Sequence, residues 1–325
     1  MGSANLLAIL SIVFSFFVTL LLTKLWIRAA KRFGLTGKDM NKINGKDIAE
    51  AGGIAVLFGT LAGIFTYVFF KTFFLRTETH VMLMFAVISS FLLAAFLGFI
   101  DDILGWKRGL RWWQKPLLTL PAALPLMVLN AGHATMDLPI IGKISVSILY
   151  PLMFVPIGVV GAANGFNILA GMNGLEAGMG IIILSALGFG AFYTGFPWLS
   201  LVAFCAVAAL FAFFLFNRCP AKVFPGDSLT YGIGALIAII AILGDLEKLA
   251  LILFIPYFIE IILKARHNGK IESFGMPQPN GTLKVEKIGS LTHVFVKLFK
   301  TERATVRGLF GLELLLAVIA TLIYL

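Results

Sequence analysis

Two adjacent carboxylates, Asp101 and Asp102, stand directly after a run, Val81 to Ile100, that contains no charged residue. In LGFIDDILGW (97–106) they fall at the C-terminal end of an apolar helix, where the helix dipole disfavours negative charge. Neighbouring carboxylates also repel, which raises one pKa unless a cation compensates. Arg108, Arg111 and Lys115 in the following WKRGLRWWQK could compensate, and so could a metal ion or a cationic site holding phosphates. Two aspartates after a helix are more often solvated end charges, so the pair needs company before it means chemistry.

Two other stretches supply that company. NGFNILAGMNGLEAG (164–178) is rich in glycine (165, 171, 174, 178) and asparagine (164, 167, 173). Close helix packing through small residues explains the glycines. It does not explain three amides and Glu176, which are costly near lipid and need partners. Backbone and amide groups together could offer donors to a nucleobase and an oxygen ligand to a cation. RCPAKVFPGDS (218–228) leads Asp227 into a helix, where it could be a simple N-cap. Beside Asn167 and the aspartate pair, it supplies the hard oxygen ligands that Mg²⁺ prefers, one or two carboxylates being usual. His80, His133, His267 and His293 are scattered, which argues against zinc.

The elements that must hold these groups are membrane helices. Of 325 residues, 59% are hydrophobic and 13% charged, where a soluble domain carries nearer a quarter charged. Ten runs approach the roughly 20 apolar residues a span needs: 4–25, 52–70, 81–100, 116–131, 146–164, 178–195, 197–216, 228–243, 249–263 and 308–325. With the N-terminus outside, the inner segments carry 22 Lys and Arg and the outer ones 4, in keeping with the positive-inside rule. All three polar stretches then fall on the inner face, and both termini lie outside. The chain reads as an all-α polytopic membrane protein, a single domain over 1–325. The net charge of +10 reports orientation and contact with anionic lipid; no pattern for binding nucleic acid accompanies it. Cys205 and Cys219 read as free thiols, and Asn5–Trp26 as a retained helix, not a signal peptide. Met136 to Ile144 suggests a small outer hairpin, and Lys284 to Lys300 a helix lying in the inner interface, apolar on one face and lysine-rich on the other.

At GFIDDILG with LRWWQK, at GFNILAGMNGLEAG and at VFPGD, the sequence resembles the polyprenyl-phosphate N-acetylhexosamine-1-phosphate transferases, over nearly the whole chain. GLTGKDMNK (34–42) and AEAGG (49–53) look like the eukaryotic and archaeal branch. The resemblance implies ten helices and a cytosolic active site in a plasma membrane, or an endoplasmic-reticulum membrane in a eukaryote. It implies transfer of N-acetylglucosamine-1-phosphate from a UDP-sugar to a polyprenyl or dolichyl phosphate, with UMP released, the first step of N-glycan-type assembly. Carried over by motif, Asn167 and Asp227 would bind Mg²⁺, with Mn²⁺ as a candidate substitute. Lys115 would contact the diphosphate or lipid phosphate, and Gly171, Asn173 and Phe224 would hold uracil. Asp101 and Asp102 would be the essential acidic pair, and Glu50 would sit at the mouth. Arg111 and Glu176 join the substrate-binding candidates. A homodimer is implied by resemblance alone. In one departure, FGMPQPNGTLKVEK (274–287) lacks the family's basic signature, leaving Arg266, His267 and His293 as candidates for that work.

A phosphate monoester has a second pKa near 6, so the acceptor oxygen is largely ionised at pH 7 and needs no strong base. The difficulty is bringing two anions together, which a metal and Lys115 would ease by positioning and charge neutralisation. Asp102 would orient the acceptor or take its residual proton, and Asp101 would support the metal region. Single displacement is simpler than a route through an aspartyl-phosphate. The rival class is a secondary transporter of an anionic substrate, which would place its binding groups near the midplane on broken helices.

Overall fold

The computed structural model describes residues 3–43, 45–104, 113–132, 135–138, 142–145, 147–267, 269 and 271–324. It begins with α1 (Ser3–Arg32), a hairpin of β1 (Thr36–Lys38) and β2 (Asp47–Ala49), α2 (Gly53–Phe73) and α3 (Val81–Leu104). Next come α4 (Gln114–Thr119), α5 (Leu124–Val128), a hairpin of β3 (Thr135–Leu138) and β4 (Gly142–Ser145), and α6 (Val155–Ile168). The chain continues through α7 (Leu175–Tyr193), α8 (Pro197–Asn217), α9 (Gly226–Leu243), α10 (Glu247–Leu253) and α11 (Ile255–Ala265). A hairpin of β5 (Met276–Pro277) and β6 (Leu283–Lys284), then α12 (Leu291–Phe299) and α13 (Glu302–Tyr324), complete it.

Among the described residues, eight helices are long and apolar enough to cross a membrane: α1, α2, α3, α6 with the turn before it, α7, α8, α9 and α13. The other two expected spans are broken. In 116–131, α4 gives way to a tighter turn at Leu120–Ala123 and then α5, with prolines at 121 and 125. In 249–263, α10 stops at Phe254 and α11 restarts with Pro256 in its first turn. Proline lacks the amide proton and its ring strikes the preceding turn, so it starts helices well and interrupts them. The expected outer hairpin pairs Met136 with Ile144 and Asp137 with Lys143, the turn lying outside the described residues. The expected interfacial helix begins only at Leu291. Ser290 is extended and its hydroxyl accepts from the Thr292 amide, a side-chain cap that sets the start.

The bundle is organised round α9, which is buried from Ser228 to Leu243 and packs on α3, α6, α2 and α7. α1 lies at the edge, with Leu6, Leu10, Phe14, Phe17 and Leu21 exposed for lipid. Its other face carries Ser11, Ser15, Thr19 and Thr23 at every fourth position, all buried. Ser15 donates to the Cys205 carbonyl of α8 at 2.8 Å, and Thr19 and Thr23 donate back along α1 at 2.8 and 2.7 Å. Small hydroxyls satisfied in this way let helices approach without a bulky core.

Candidate active site

One end of the bundle gathers the C-terminal ends of α3, α6 and α8, the N-terminal ends of α4, α7, α9 and α13, and the β1–β2 hairpin. At its centre the Lys115 ammonium lies 2.7 Å from Asp101 Oδ2 and 2.9 Å from Asp227 Oδ2. It also sits over the Tyr231 ring, 5.7 Å from the centroid. Burial works to lower the lysine's pKa, but its charged neighbours, led by the Asp227 carboxylate, outweigh burial and raise it. Lys115 is therefore a fixed cation whose head stays partly open to solvent, its side chain being 25% exposed.

Asp102 sits next to this centre but is used differently. Its Oδ1 accepts from the Asp227 amide at 2.6 Å and its Oδ2 from the Ser228 amide at 3.1 Å. It thus caps the N-terminus of α9 from a neighbouring helix, against the positive end of that helix's dipole. This answers the wrong-sign objection to the aspartate pair: the charge at the end of α3 is placed for the start of α9. One oxygen holds the Asp227 amide and the other that of Ser228 next to it, so in this arrangement Asp102 positions Asp227. The approach is close enough to dictate two glycines. A Cβ at Gly98 would collide with the Asp227 carbonyl, and one at Gly226, where φ is +72°, with the Asp102 carboxylate.

Asn167, on the last turn of α6, faces the same space. Its amide lies beside the Tyr231 hydroxyl, which is buried and lacks a well-formed hydrogen bond among the described residues. Among the described residues no three His, Cys, Asp or Glu side chains converge to cage a metal unaided. The donors gathered there, Asp227, Asn167 and Asp101, are hard oxygens, and the two carboxylates are paired with Lys115. That set suits Mg²⁺, which keeps water and substrate phosphate in its octahedron.

A second polar cluster adjoins the first. The Asn173 side chain donates to Asp39 Oδ2 at 2.8 Å, and its amide to Glu302 Oε1 at 2.9 Å. Glu302, at the start of α13, also pairs with Lys42 and accepts from Cys219 at 3.3 Å. Asn41 donates to the Gly171 carbonyl at 2.9 Å and accepts from the Gly275 amide at 3.1 Å. The Gly171 amide donates to Glu176 Oε1 at 2.8 Å, while the buried Oε2 finds no partner among the described residues. Gly171 takes φ +105° with the Phe274 ring where its Cβ would be. Phe224 is held by backbone pairing to the segment that ends β2 and leads into α2: its amide donates to the Ala49 carbonyl at 2.7 Å, and its carbonyl accepts from the Gly52 amide at 2.9 Å. Glu50 is thereby seated next to Phe224, against Gly37.

Burial raises the pKa of Glu50. A carboxyl whose folded pKa lies above its unfolded value contributes stability below the unfolded value, near 4.3, and loses it as pH rises through the folded one. Ionised Glu50 therefore carries a cost at neutral pH. Glu50→Gln should melt a few degrees higher than the parent at pH 8 in detergent, with the gap closing as pH approaches 4. An equal gap at both pH values would contradict this account.

The structure thus brings Asp101, Asp102, Lys115, Asn167 and Asp227 into one centre and Gly171, Asn173 and Glu176 into the cluster beside it, while Phe224 and Glu50 meet the β1–β2 hairpin and the start of α2 instead. Arg266 is exposed at the end of α11, outside both. His293 is buried; its Nε2 donates to the Phe274 carbonyl at 3.0 Å and its Nδ1 accepts from the Gly289 amide at 3.2 Å. That bonding assigns the tautomer, and burial lowers the pKa, so the ring is neutral and holds loop backbone in place. Arg111 lies outside the described residues. The sequence reading missed Asp39, Asn41, Lys42 and Glu302 as site-builders, and Tyr231 too. Tyr231 has a local signal, four residues beyond Asp227 on the same helical face, and Asp39, Asn41 and Lys42 lie in GLTGKDMNK, a stretch read for its branch likeness and not for site residues.

A family model described as glycosyl transferase family 4 matches residues 83–245. That span holds both aspartates, Lys115, Asn167 and Asp227, and leaves out Glu50, Arg266 and His293. A Saccharolobus solfataricus protein provisionally named UDP-N-acetylglucosamine–dolichyl-phosphate N-acetylglucosaminephosphotransferase is 41% identical over 97% of this chain and 96% of its own. A Dictyostelium discoideum protein named for the same activity is 30% identical over 70% of this chain and 64% of its own. A Streptococcus thermophilus phospho-N-acetylmuramoyl-pentapeptide-transferase is 31% identical over 52% of this chain and 51% of its own. The likeness to the first relative runs nearly end to end, and the matched span carries the charged centre: the chain belongs to glycosyltransferase family 4.

Proposed function

We propose that this protein transfers N-acetylglucosamine-1-phosphate from UDP-N-acetylglucosamine to a dolichyl-type polyprenyl phosphate. An oxygen of the lipid phosphate attacks the sugar-bearing phosphorus of the UDP-sugar. The bond from that phosphorus to the bridging oxygen breaks, and UMP leaves with the electron pair. The product is a lipid diphosphate carrying the sugar, the starting point for N-glycan-type assembly. The observation that carries this reading is Lys115 held between Asp101 and Asp227 at the N-terminus of the central helix. The ammonium offers both phosphates a positive contact at one end of a membrane bundle, while the carboxylates round it leave the set negative enough to suit a divalent cation.

The chain's own residues would divide the work as follows. Lys115 meets phosphate oxygens and lowers the repulsion between the two anions. Asp101 keeps Lys115 in place, and Asp102 keeps Asp227 in place. Asp227 and Asn167 would hold Mg²⁺, or Mn²⁺ in its stead; the metal supplies charge neutralisation and a template for the phosphates. Gly171, Asn173 and Phe224 border the nucleotide, and Glu50 stands at the edge. Single displacement is the preferred route.

The same reading places the site on the cytoplasmic face of a plasma or endoplasmic-reticulum membrane, with both termini outside and the two kinked segments completing ten spans. The excess of Lys and Arg on the inner segments supports it. A homodimer is proposed on resemblance. The transporter alternative is less favoured, since the charged centre gathers at one end of the bundle. The test is UMP release by detergent-purified protein given UDP-N-acetylglucosamine, with and without polyprenyl phosphate and with and without Mg²⁺. Release should need both additions. Release without lipid would overturn the acceptor assignment, and release undiminished by a chelator would overturn the metal.

A further inference from the structure

A groove of about 560 Å³ opens on the same end of the molecule, between the β5–β6 hairpin and α12, away from the charged centre. Its lining includes Lys284, Lys297 and Lys300, with Gln278, Asn280 and Val296, and no acidic residue. All three lysines are exposed, and none makes an ion pair or side-chain hydrogen bond among the described residues. Three unpaired ammonium groups round one hollow repel one another, an arrangement that favours an anion between them.

The groove is built and held. The Leu283 amide donates to the Lys300 carbonyl at 2.7 Å, tying hairpin to helix end. Lys300 closes α12 with φ +59°, and its side chain falls at the negative end of that helix. In the hairpin turn, Gln278 donates to the Thr282 carbonyl at 2.8 Å and the Thr282 hydroxyl to Asn280 Oδ1 at 2.7 Å. Depth in the membrane follows from the chain. Lys300 stands two residues before α13, which is long and apolar enough to span. Next to it on α12, Leu298 is 68% exposed and Phe299 45%. Cations at the edge of a span with bare apolar side chains alongside match a lipid: a charged headgroup above and acyl chain below.

We propose that this groove seats the phosphate headgroup of an anionic bilayer phospholipid on the inner leaflet, with its chains against Leu298 and Phe299. Lys284, Lys297 and Lys300 bind the headgroup, and the lipid anchors the hairpin and α12 to the membrane surface. Nothing in this assignment depends on the reaction proposed for the charged centre.

The test is native mass spectrometry of the detergent-solubilised full chain titrated with dioleoyl phosphatidylglycerol, dioleoyl phosphatidylcholine or inorganic phosphate. The parent is compared with a variant carrying Lys284→Gln, Lys297→Gln and Lys300→Gln. Exposed lysines tolerate this change, and circular dichroism with size-exclusion elution checks that the variant is folded. A single Lys297→Glu variant serves if the triple one fails that check. The first phosphatidylglycerol should bind the parent roughly tenfold or more tighter than either variant, because each surface lysine contributes appreciably to anionic-lipid binding. Phosphatidylcholine should bind all alike. Equal phosphatidylglycerol affinity in parent and variants would overturn the proposal. So would millimolar inorganic phosphate displacing the lipid, which would make the groove a soluble-anion site.

Discussion

Asp227→Ala should lower UMP release by at least about 10³-fold while the protein still inserts and elutes as a folded species. The magnitude follows from what one carboxylate does in this arrangement. It is one of two acidic partners of Lys115 and the better placed of the oxygen donors that would face a metal. Removing a single preorganised electrostatic contact at a reacting centre commonly costs 10²–10³ in turnover, and loss of a metal ligand compounds it. Folding should survive, because the α9 N-terminus is capped by Asp102 through backbone amides that alanine retains. Asp102→Asn supplies the contrast. It keeps one acceptor for those amides and loses the charge at the helix end, so Asp227 stays near its place. A smaller loss, roughly 10-fold to 10²-fold, is expected. Asp227→Ala with a tenth or more of parental turnover would remove Asp227 from the metal site. A loss in Asp102→Asn equal to that in Asp227→Ala would return Asp102 to the acceptor itself.

The charged centre was readable because its parts are local and chemically odd. Two aspartates ending an uncharged run, or amides on a membrane helix, have no inexpensive explanation in lipid, so they stand out one stretch at a time. What their partners are is another matter. The Asp102 carboxylate meets α9 across more than a hundred residues, and nothing in IDDIL says that the charge serves a different helix's dipole. Asn173 meets Asp39 and Glu302, and Asn41 meets Gly171 and Gly275. Such pairings have no spacing to detect; they exist only once the bundle brings the ends together. The helices show the same division. Apolar runs marked the eight helices that are long and apolar enough to span among the described residues, yet hydropathy is blind to the hydrogen-bond ladder, and the other two expected spans are broken near Pro121, Pro125 and Pro256. In the inner segment, periodicity ran through Lys284 into a strand, because a helical apolar pattern says nothing of the Ser290 cap that starts the helix later.

Glu260, an acid on the otherwise apolar face of α11, ties the segment before α12 to the bundle. It is fully buried. Its carboxylate accepts from the Ser290 hydroxyl at 2.8 and 3.0 Å and from the Leu291 amide at 2.6 Å, and pairs with Lys264 at 3.2 Å. The Leu291 amide is an otherwise orphaned donor at the start of α12, so the carboxylate also meets the positive end of that helix. Ser273 adds a longer bond at 3.4 Å. Removing one member of a buried charged network leaves the others desolvated and unmatched, at a cost of roughly 3–5 kcal/mol. Glu260→Ala should therefore release residues 273–299 while α9 and the bundle hold. Hydrogen exchange should rise by about 10²-fold or more across that segment and stay unchanged in α9, since 1.4 kcal/mol corresponds to about a factor of ten. Glu260→Gln retains an acceptor and should fall between. The consequence reaches the site, because Phe274 packs on Gly171 and Gly275 bonds to Asn41. Turnover should then fall mainly through a raised KM for the UDP-sugar, as the loop bearing Asn173 loses its support. Unchanged exchange over 273–299 in Glu260→Ala would mean that the segment is held by its own hairpin and by His293, and that Glu260 is a passenger.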